Sequence, residues 1–239
     1  NKIDTSMLDV KPIWDFIGLE DARLIKWDGK FWACGVRRDT TPNGQGRMEF
    51  SELEIGHDYV KEIKRTRIEA PLNPHSYCEK NWMPVKNNPY HFIKWSNPTE
   101  LVKVDLDSGT SSVAHQSTPD KYINVPYDLR GGSHLIEWDD NTYLTILHEC
   151  KFIRKNFNGY KDADYYHRFI LWDRDTWEIK LLTEQFNFMT AKTEFAIGLE
   201  QVDNNILMVF GFQDNGCYAV KCTKNFMNDL IWKVLKPHS

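Results

Sequence analysis

The stretch GLEDARLIKWDGKFWACGVRR, residues 18–38, decides the fold. Two apolar runs meet at Asp28-Gly29, a dipeptide suited to the tight turn of a β-hairpin. The charges lie at the outer ends: Glu20, Asp21 and Arg23 open the first run, while Arg37 and Arg38 close the second. A hairpin brings its two ends to one edge, so these five groups are expected to gather at a single rim.

The pattern recurs. Polar turns at Asn87-Asn88, Asp139-Asp140 and Asp203-Asn204 follow at intervals of roughly 50 to 65 residues, a period that signals repeat architecture. Further strand-like runs come after each hairpin, at 47–55 and 59–68, at 100–106 and 111–116, at 165–172 and 177–182, and at 217–223. Four short antiparallel strands per repeat is the size of a β-propeller blade. The sequence therefore predicts one all-β domain over 1–239, a β-propeller of four-stranded antiparallel blades, with repeats near 18–68, 78–116, 129–183 and 192–223. Residues 224–235 read as a short C-terminal helix.

Polar residues occupy matching places in the four hairpins. Ahead of the turns lie Glu20, Glu79, Arg130 and Glu194; beyond them lie Arg37, Ser96, His148 and Asp214. Each blade is thus expected to present a polar pair at the same rim, and blades set around an axis would converge these pairs on one pocket. Lys80 and Asn81 belong to the second hairpin, and Tyr166, His167 and Arg168 lie on the third strand of the third repeat. Polar strand ends also occur in any β protein because they meet solvent, so it is the recurrence that points to a site.

Composition narrows the function. With 239 residues, 41% hydrophobic and 13% aromatic, the chain can bury a sizeable core. A net charge of −4 gives no electrostatic reason to expect nucleic acid. No apolar run approaches the roughly 20 residues of a membrane helix, and no secretory signal opens the sequence, so a soluble, cytoplasmic protein is expected. Five scattered cysteines without a CxxC pair read as reduced core or near-core residues, with no metal. Asp105-Leu106-Asp107-Ser108-Gly109 is better explained as a hairpin turn than as a calcium loop. The glycines of Arg130-Gly131-Gly132-Ser133 permit close backbone approach to a ligand, or a bulge.

Carboxylates mixed with arginine, lysine and histidine in a concave site suit carbohydrate chemistry. Sugar hydroxyls need donors and acceptors together, and glycosidic cleavage needs an acid at the leaving oxygen. Arg37, Arg38 and Lys80 could hold a phosphate. Trp82, directly after Glu79-Lys80-Asn81, is the candidate for stacking on a sugar face, whereas Trp27, Trp95 and Trp138 read as packing residues and His57, His75, His115 and His238 as surface residues. No GxSxG, HExxH or P-loop motif is present.

Gly18-Leu19-Glu20-Asp21-Ala22-Arg23, followed by an apolar strand and Asp-Gly, resembles the G-x-E-D-P-R signature of glycoside hydrolase family 130, which contains β-mannoside phosphorylases and hydrolases, and of related propellers of the family 43 and 130 type. Glu79-Lys80-Asn81-Trp82, Arg130-Gly131-Gly132-Ser133, Tyr166-His167-Arg168-Phe169 and Glu194-Phe195-Ala196-Ile197-Gly198-Leu199 fit the same layout. The resemblance implies a five-bladed propeller with one blade incomplete or reduced to 1–17, a closed four-bladed form being the alternative. It implies that Asp21 is the proton donor of an inverting reaction, with no cofactor but inorganic phosphate as a potential co-substrate at Arg37 or Arg38 and Lys80. Arg23 would orient Asp21 or hold the sugar, and Glu20, Glu79, Asn81, Trp82, Arg130, His148, Tyr166, His167, Arg168, Glu194 and Asp214 would bind sugar. Ala22 stands where the signature has proline. Such propellers also occur attached to glycosyltransferases, so a non-catalytic glycan-binding domain is the alternative function, and a protein-interaction propeller a third.

Overall fold

The computed structural model describes residues 3–5, 11–15, 18–39, 41–71, 75–120, 123, 125–155 and 161–236. Most of 1–17 and His238 lie outside the described residues. Contacts group the chain into two compact units: Asn1–Lys94 with Glu100–Gln116, and Trp95–Thr99 with Ser117–Ser239.

The first sheet holds β1 (Ile3–Asp4), β2 (Leu19–Trp27), β3 (Lys30–Arg37), β4 (Arg47–Ile55) and β5 (Val60–Arg67) in the order β1-β5-β4-β3-β2. Its main strands are antiparallel and β1 joins β5 in parallel. Asp28 (φ +49°) and Gly29 (φ +79°) make the β2–β3 turn, both in the positive region that a twisted two-residue hairpin requires. The second sheet is a meander of β6 (Met83–Pro84), β7 (His91–Ser96), β8 (Thr99–Asp105) and β9 (Thr110–Gln116). Asp105 caps the β8–β9 turn by accepting from the Asp107 and Ser108 amides at 2.9 and 3.0 Å, so this acidic loop is a hairpin turn.

In the first unit, alternate residues of these strands form one core: Trp27, Trp32, Cys34, Met48 and Phe50 pack with Trp82, Phe92, Val102 and Val104. Trp27 anchors it further by donating from Nε1 to the Val85 carbonyl at 3.0 Å. Trp95, expected to pack, is instead 52% exposed because it points off the far face of β7.

The second unit carries a sheet of β10 (Asp128–Gly131), β11 (Ile136–Glu137), β12 (Thr142–Lys155), β13 (Lys161–Asp173) and β14 (Ile179–Leu182). Both β10 and β11 pair with β12. The break between them falls at Gly132, where a Cβ would lie 2.2 Å from the Ile146 carbonyl oxygen; here the glycine serves a strand crossing rather than a ligand. Next come β15 (Glu194–Val202), β16 (Asn205–Phe212) and β17 (Gly216–Thr223), a three-stranded sheet. Helix α1 (Lys224–Asp229) follows, capped by Thr223, whose Oγ1 accepts from the Phe226 amide, and it runs on into a π-helical turn at Leu230–Val234. Met227 and Ile231 turn inward onto Ile136, Phe169, Leu199 and Phe210 in the second core.

The chain is therefore all-β, its sheets built as propeller blades with one short C-terminal helix. All five cysteines are free. Cys34 and Cys150 are buried, but Cys217 is exposed on the edge strand β17, which corrects its placement in or near the core.

Candidate functional site

The first hairpin pairs unevenly, and the irregularity falls on Asp21. Glu20 faces Val36 and Arg23 faces Cys34, so Asp21 and Ala22 together oppose Gly35 alone, a β-bulge. Asp21 adopts φ +51°, a region uncommon for any residue but glycine. Gly35 is required opposite it, because a Cβ there would lie 2.5 Å from the Glu20 carbonyl oxygen.

Beneath the bulge, Arg23 is only 1% exposed and donates from Nη1 to the Asp21 carbonyl at 2.7 Å. Burial lowers its pKa to about 10, against the raising effect of Asp21 and Cys34, so it stays charged at neutral pH. Burial also pushes the Cys34 thiol up, which makes it inert. The Asp21 carboxylate itself is half-buried but in reach of solvent, with Lys80 Nζ 3.6 Å from its Oδ2. A carboxyl on an over-determined backbone, with a cation beside it and solvent in reach, is the arrangement in which local strain accompanies function.

Charge from the second hairpin gathers at the same place. Around Cys78, whose thiol burial raises, lie Lys80, Arg38, Glu20 and Glu79, each near enough to act on it electrostatically. Glu79 is buried; its Oε1 accepts from Ser76 Oγ at 2.7 Å and its Oε2 from Trp82 Nε1 at 3.2 Å. Lys94, which the sequence reading passed over, sets its ammonium 3.6 Å from Glu79 and 3.4 Å from Glu100. Asn81 is buried at φ +63°, and its Oδ1 has no hydrogen-bond partner.

Two expectations need correction here. Trp82 offers no open face for a sugar: it is 1% exposed, packs on Phe92, and has Lys94 over its ring at 5.9 Å. Its indole fixes Glu79 from below. Arg37 is held between Glu49 at 2.7 Å and Asp39 at 3.6 Å, with both carboxylates buried, so its charge is already matched. Arg38 donates to the Gly44 carbonyl and to Tyr77 Oη, each at 3.1 Å, and holds the loop that precedes β4. Of the three cations expected to hold phosphate, Lys80 is the one set beside Asp21.

The second unit forms its own polar cluster. Arg130 faces His148, which in turn faces His167 across β12 and β13. Arg130 remains near the surface, 3.4 Å from Asp128 and over the Phe152 ring. His148 is 2% exposed, stacked on Tyr165 and edge-on to Phe195. Tyr166 sits opposite Glu149 in the strand register, half-buried. Arg168 pairs with Glu149 at 2.6 Å and donates to the Thr183 carbonyl, also at 2.6 Å. Asp214 lies exposed in the β16–β17 turn at φ +53°, past Phe212, the register partner of Glu194.

His167 and Glu194 are both fully buried and do structural work. Glu194 accepts the Phe188 and Met189 amides, each at 2.9 Å. His167 accepts the Ala196 amide at Nε2, 3.1 Å, which places its proton on Nδ1, 3.8 Å from Glu194. Burial lowers the His167 pKa from 6.5 to about 4. The unfolded chain then binds the extra proton first, so stability is complete above pH 6.5 and falls as pH drops toward 4, by about 3 kcal/mol from this residue. Denaturant titrations of wild type and His167→Gln at several pH values in that window check this; parallel slopes would remove His167 as the cause.

Among the described residues, no group of His, Cys, Asp or Glu could hold a metal ion, and no helix is long and apolar enough to cross a membrane. No protein-family model and no curated protein matches the sequence. Solved structures do match. A β-1,2-mannobiose phosphorylase from Listeria innocua, in complex with β-1,2-mannobiose, superposes with a TM-score of 0.59 at 13% identity over 90% of this chain. This chain spans 60% of that protein's length. A GDP-Man-dependent mannosyltransferase from Leishmania mexicana matches with a TM-score of 0.51 at 16% identity, covering 86% of this chain and 68% of its own. An exo-1,5-α-L-arabinanase from a bovine ruminal metagenomic library gives 0.51 at 10% identity, over 84% and 72%. At these identities the likeness is one of fold, and the fold is the propeller of the glycoside hydrolase family 43 and 130 type.

Proposed function

We propose that this chain is a carbohydrate-active propeller that cleaves a glycosidic bond with inversion, with Asp21 as the proton donor. The observation that carries this reading is the Asp21 bulge: a carboxylic side chain held at positive φ by a buried arginine, half-buried at a strand end beside a lysine. In the reaction, the Asp21 carboxyl gives its proton to the glycosidic oxygen, the bond from that oxygen to the anomeric carbon breaks with its electron pair going to the oxygen, and from the opposite face either a phosphate anion bonds to that carbon or water does so and loses a proton to solvent. An anion arriving beside Lys80 would take over its charge and free Asp21 from the ion pair.

The engagement of Arg37 and Arg38 by Asp39, Glu49, Gly44 and Tyr77 favours a second reading, in which phosphate has no cradle and the site hydrolyses or simply binds glycan. Incubating the full chain with β-1,2-mannobiose, with and without inorganic phosphate, separates the readings. Mannose 1-phosphate formed only with phosphate means phosphorolysis, and mannose released without it means hydrolysis. Calorimetric binding with neither product means a glycan-binding domain and sinks the catalytic proposal.

A further inference from the structure

The strands of the first sheet have a second face, turned away from the core of Trp27, Cys34 and Phe50. Side chains alternate along a strand, so Ala33 beside Cys34 and Ser51 beside Phe50 belong to this other face, where the register sets Ala33, Ser51 and Arg65 side by side. On it lies a cavity of about 580 Å³, walled by Leu19, Ala22, Ala33 and Leu53 and by Ile3 and Pro12 from the segment ahead of β2. Its volume is that of a small-molecule site, and so is its lining, apolar with a few polar groups.

The walls are tied together. Ile3 sits beside Val60 where β1 joins β5, the Ile13 amide donates to the Asp39 carbonyl at 2.7 Å, and the Gly18 amide donates to Asp39 Oδ2 at 2.6 Å. The described residues ahead of β2 are thereby held against the sheet at three points.

Arg37 is the group that points to a ligand. It is 7% exposed and lines the cavity. Its Nε is sealed and lies 2.7 Å from Glu49 Oε2, but neither Nη group makes a hydrogen bond among the described residues, Nη1 stopping 3.6 Å from Asp39 Oδ2. Nε is the one sealed nitrogen of the three, so the nitrogens without a partner are those that the cavity reaches. A guanidinium directs one N–H from each Nη toward a common point, where an oxygen with two lone pairs accepts both.

Charge says which oxygen. Arg37 already has Glu49 and Asp39 about it, and Arg65 holds Glu62 at 2.5 Å, with Ser51 on the same carboxylate. Three buried carboxylates oppose a further negative charge, whereas a neutral carbonyl oxygen satisfies the donors without adding one. Lys11, the remaining cation of the wall, is exposed. We propose that this cavity binds a small neutral molecule with an apolar body, whose amide or ester carbonyl accepts from the Arg37 Nη groups. Neither the place nor the ligand depends on the reaction at Asp21.

The test is a titration of the full chain, labelled with ¹⁵N-arginine, with ε-caprolactam and, separately, N-acetyl-leucine methylamide, following the Arg37 Nε–H signal, which Arg37→Lys assigns. At least one of these neutral amides is expected to shift that signal saturably. N-acetyl-leucine, the carboxylate counterpart, should bind about tenfold more weakly, because it brings a like charge toward Asp39, Glu49 and Glu62. Ala33→Leu fills the space while leaving Arg37 in place and should weaken the titration about tenfold. Asp21→Asn should leave it unchanged. An Arg37 signal that moves with neither amide overturns the proposal, as does one that answers N-acetyl-leucine or inorganic phosphate more strongly than the amides, or one that shifts undiminished in folded Ala33→Leu. The wild-type titrations decide the matter even where Ala33→Leu does not fold.

Discussion

Asp21→Asn is expected to lower turnover of a cleavable glycoside by about a thousandfold while leaving the folded state intact, the size of effect that removal of a general acid produces. The substitution preserves the side chain's shape and its capacity for αL backbone, which Asn adopts as readily as Asp. The hydrogen bond from Arg23 reaches the Asp21 carbonyl rather than the carboxylate, so it survives the change. What is lost is the transferable proton and a solvent-accessible 3.6 Å ion pair to Lys80, and pairs screened by solvent contribute only about 0–1 kcal/mol to stability. Turnover on β-1,2-mannobiose or another substrate found for the wild type, measured beside urea unfolding, checks the result. A variant that turns over at the wild-type rate would remove Asp21 from the chemistry, and one that unfolds would mean the bulge depends on the charge.

Much of this was readable in the residues. The Asp28-Gly29 turn, the four hairpins and the strands of the first sheet follow from period-2 alternation and from turn chemistry, both of which are local. The bulge was not readable, because nothing in Leu19-Glu20-Asp21-Ala22-Arg23 says that two residues will oppose one. Gly35, on the facing strand, was its one available signal. The burial of charge was not readable where charge is matched by charge. Arg47, Glu49 and Ser51 alternate with Met48 and Phe50, a pattern that reads as a wet face, yet all three are buried. Glu49 and Ser51 find partners on other strands, Arg37 and Arg67 on Glu49 and Glu62 on Ser51 at 2.5 Å, while Arg47 donates to the Gly46 and Ser76 carbonyls. Glu62 shows the balance: burial opposes its ionised form, but hydrogen bonds from Arg65 and Ser51 outweigh that and lower its pKa. A charged residue's burial depends on strands distant in sequence, and no window along the chain contains them. Trp82 was misplaced for the same reason, since the core it joins is drawn from β2, β3, β4, β7 and β8.

Arg168 is the opposite case from Asp21, a residue expected at the sugar whose geometry assigns it to stability. Glu149 is fully buried, and its Oε2 is matched by Arg168 Nε at 2.6 Å, while its Oε1 has no hydrogen bond. Removing the guanidinium by Arg168→Met would leave a carboxylate uncompensated in the core and also free the Thr183 carbonyl, now bonded at 2.6 Å. Breaking one side of a buried pair costs about 3–5 kcal/mol, which for a chain of this size lowers Tm by about 10 °C. The partner substitution should reverse much of it. Glu149→Leu combined with Arg168→Met removes both charges at similar volume, and such replacements are often neutral, so the double variant is expected to be more stable than Arg168→Met alone. Thermal unfolding of the two single variants and the double closes this cycle. If Arg168→Met unfolds like wild type but loses saccharide binding, the guanidinium belongs to the ligand and not to the core. The 0% exposure of Glu149 makes the stability outcome the expected one, because a carboxylate with no access to water cannot be solvated when its cation is taken away.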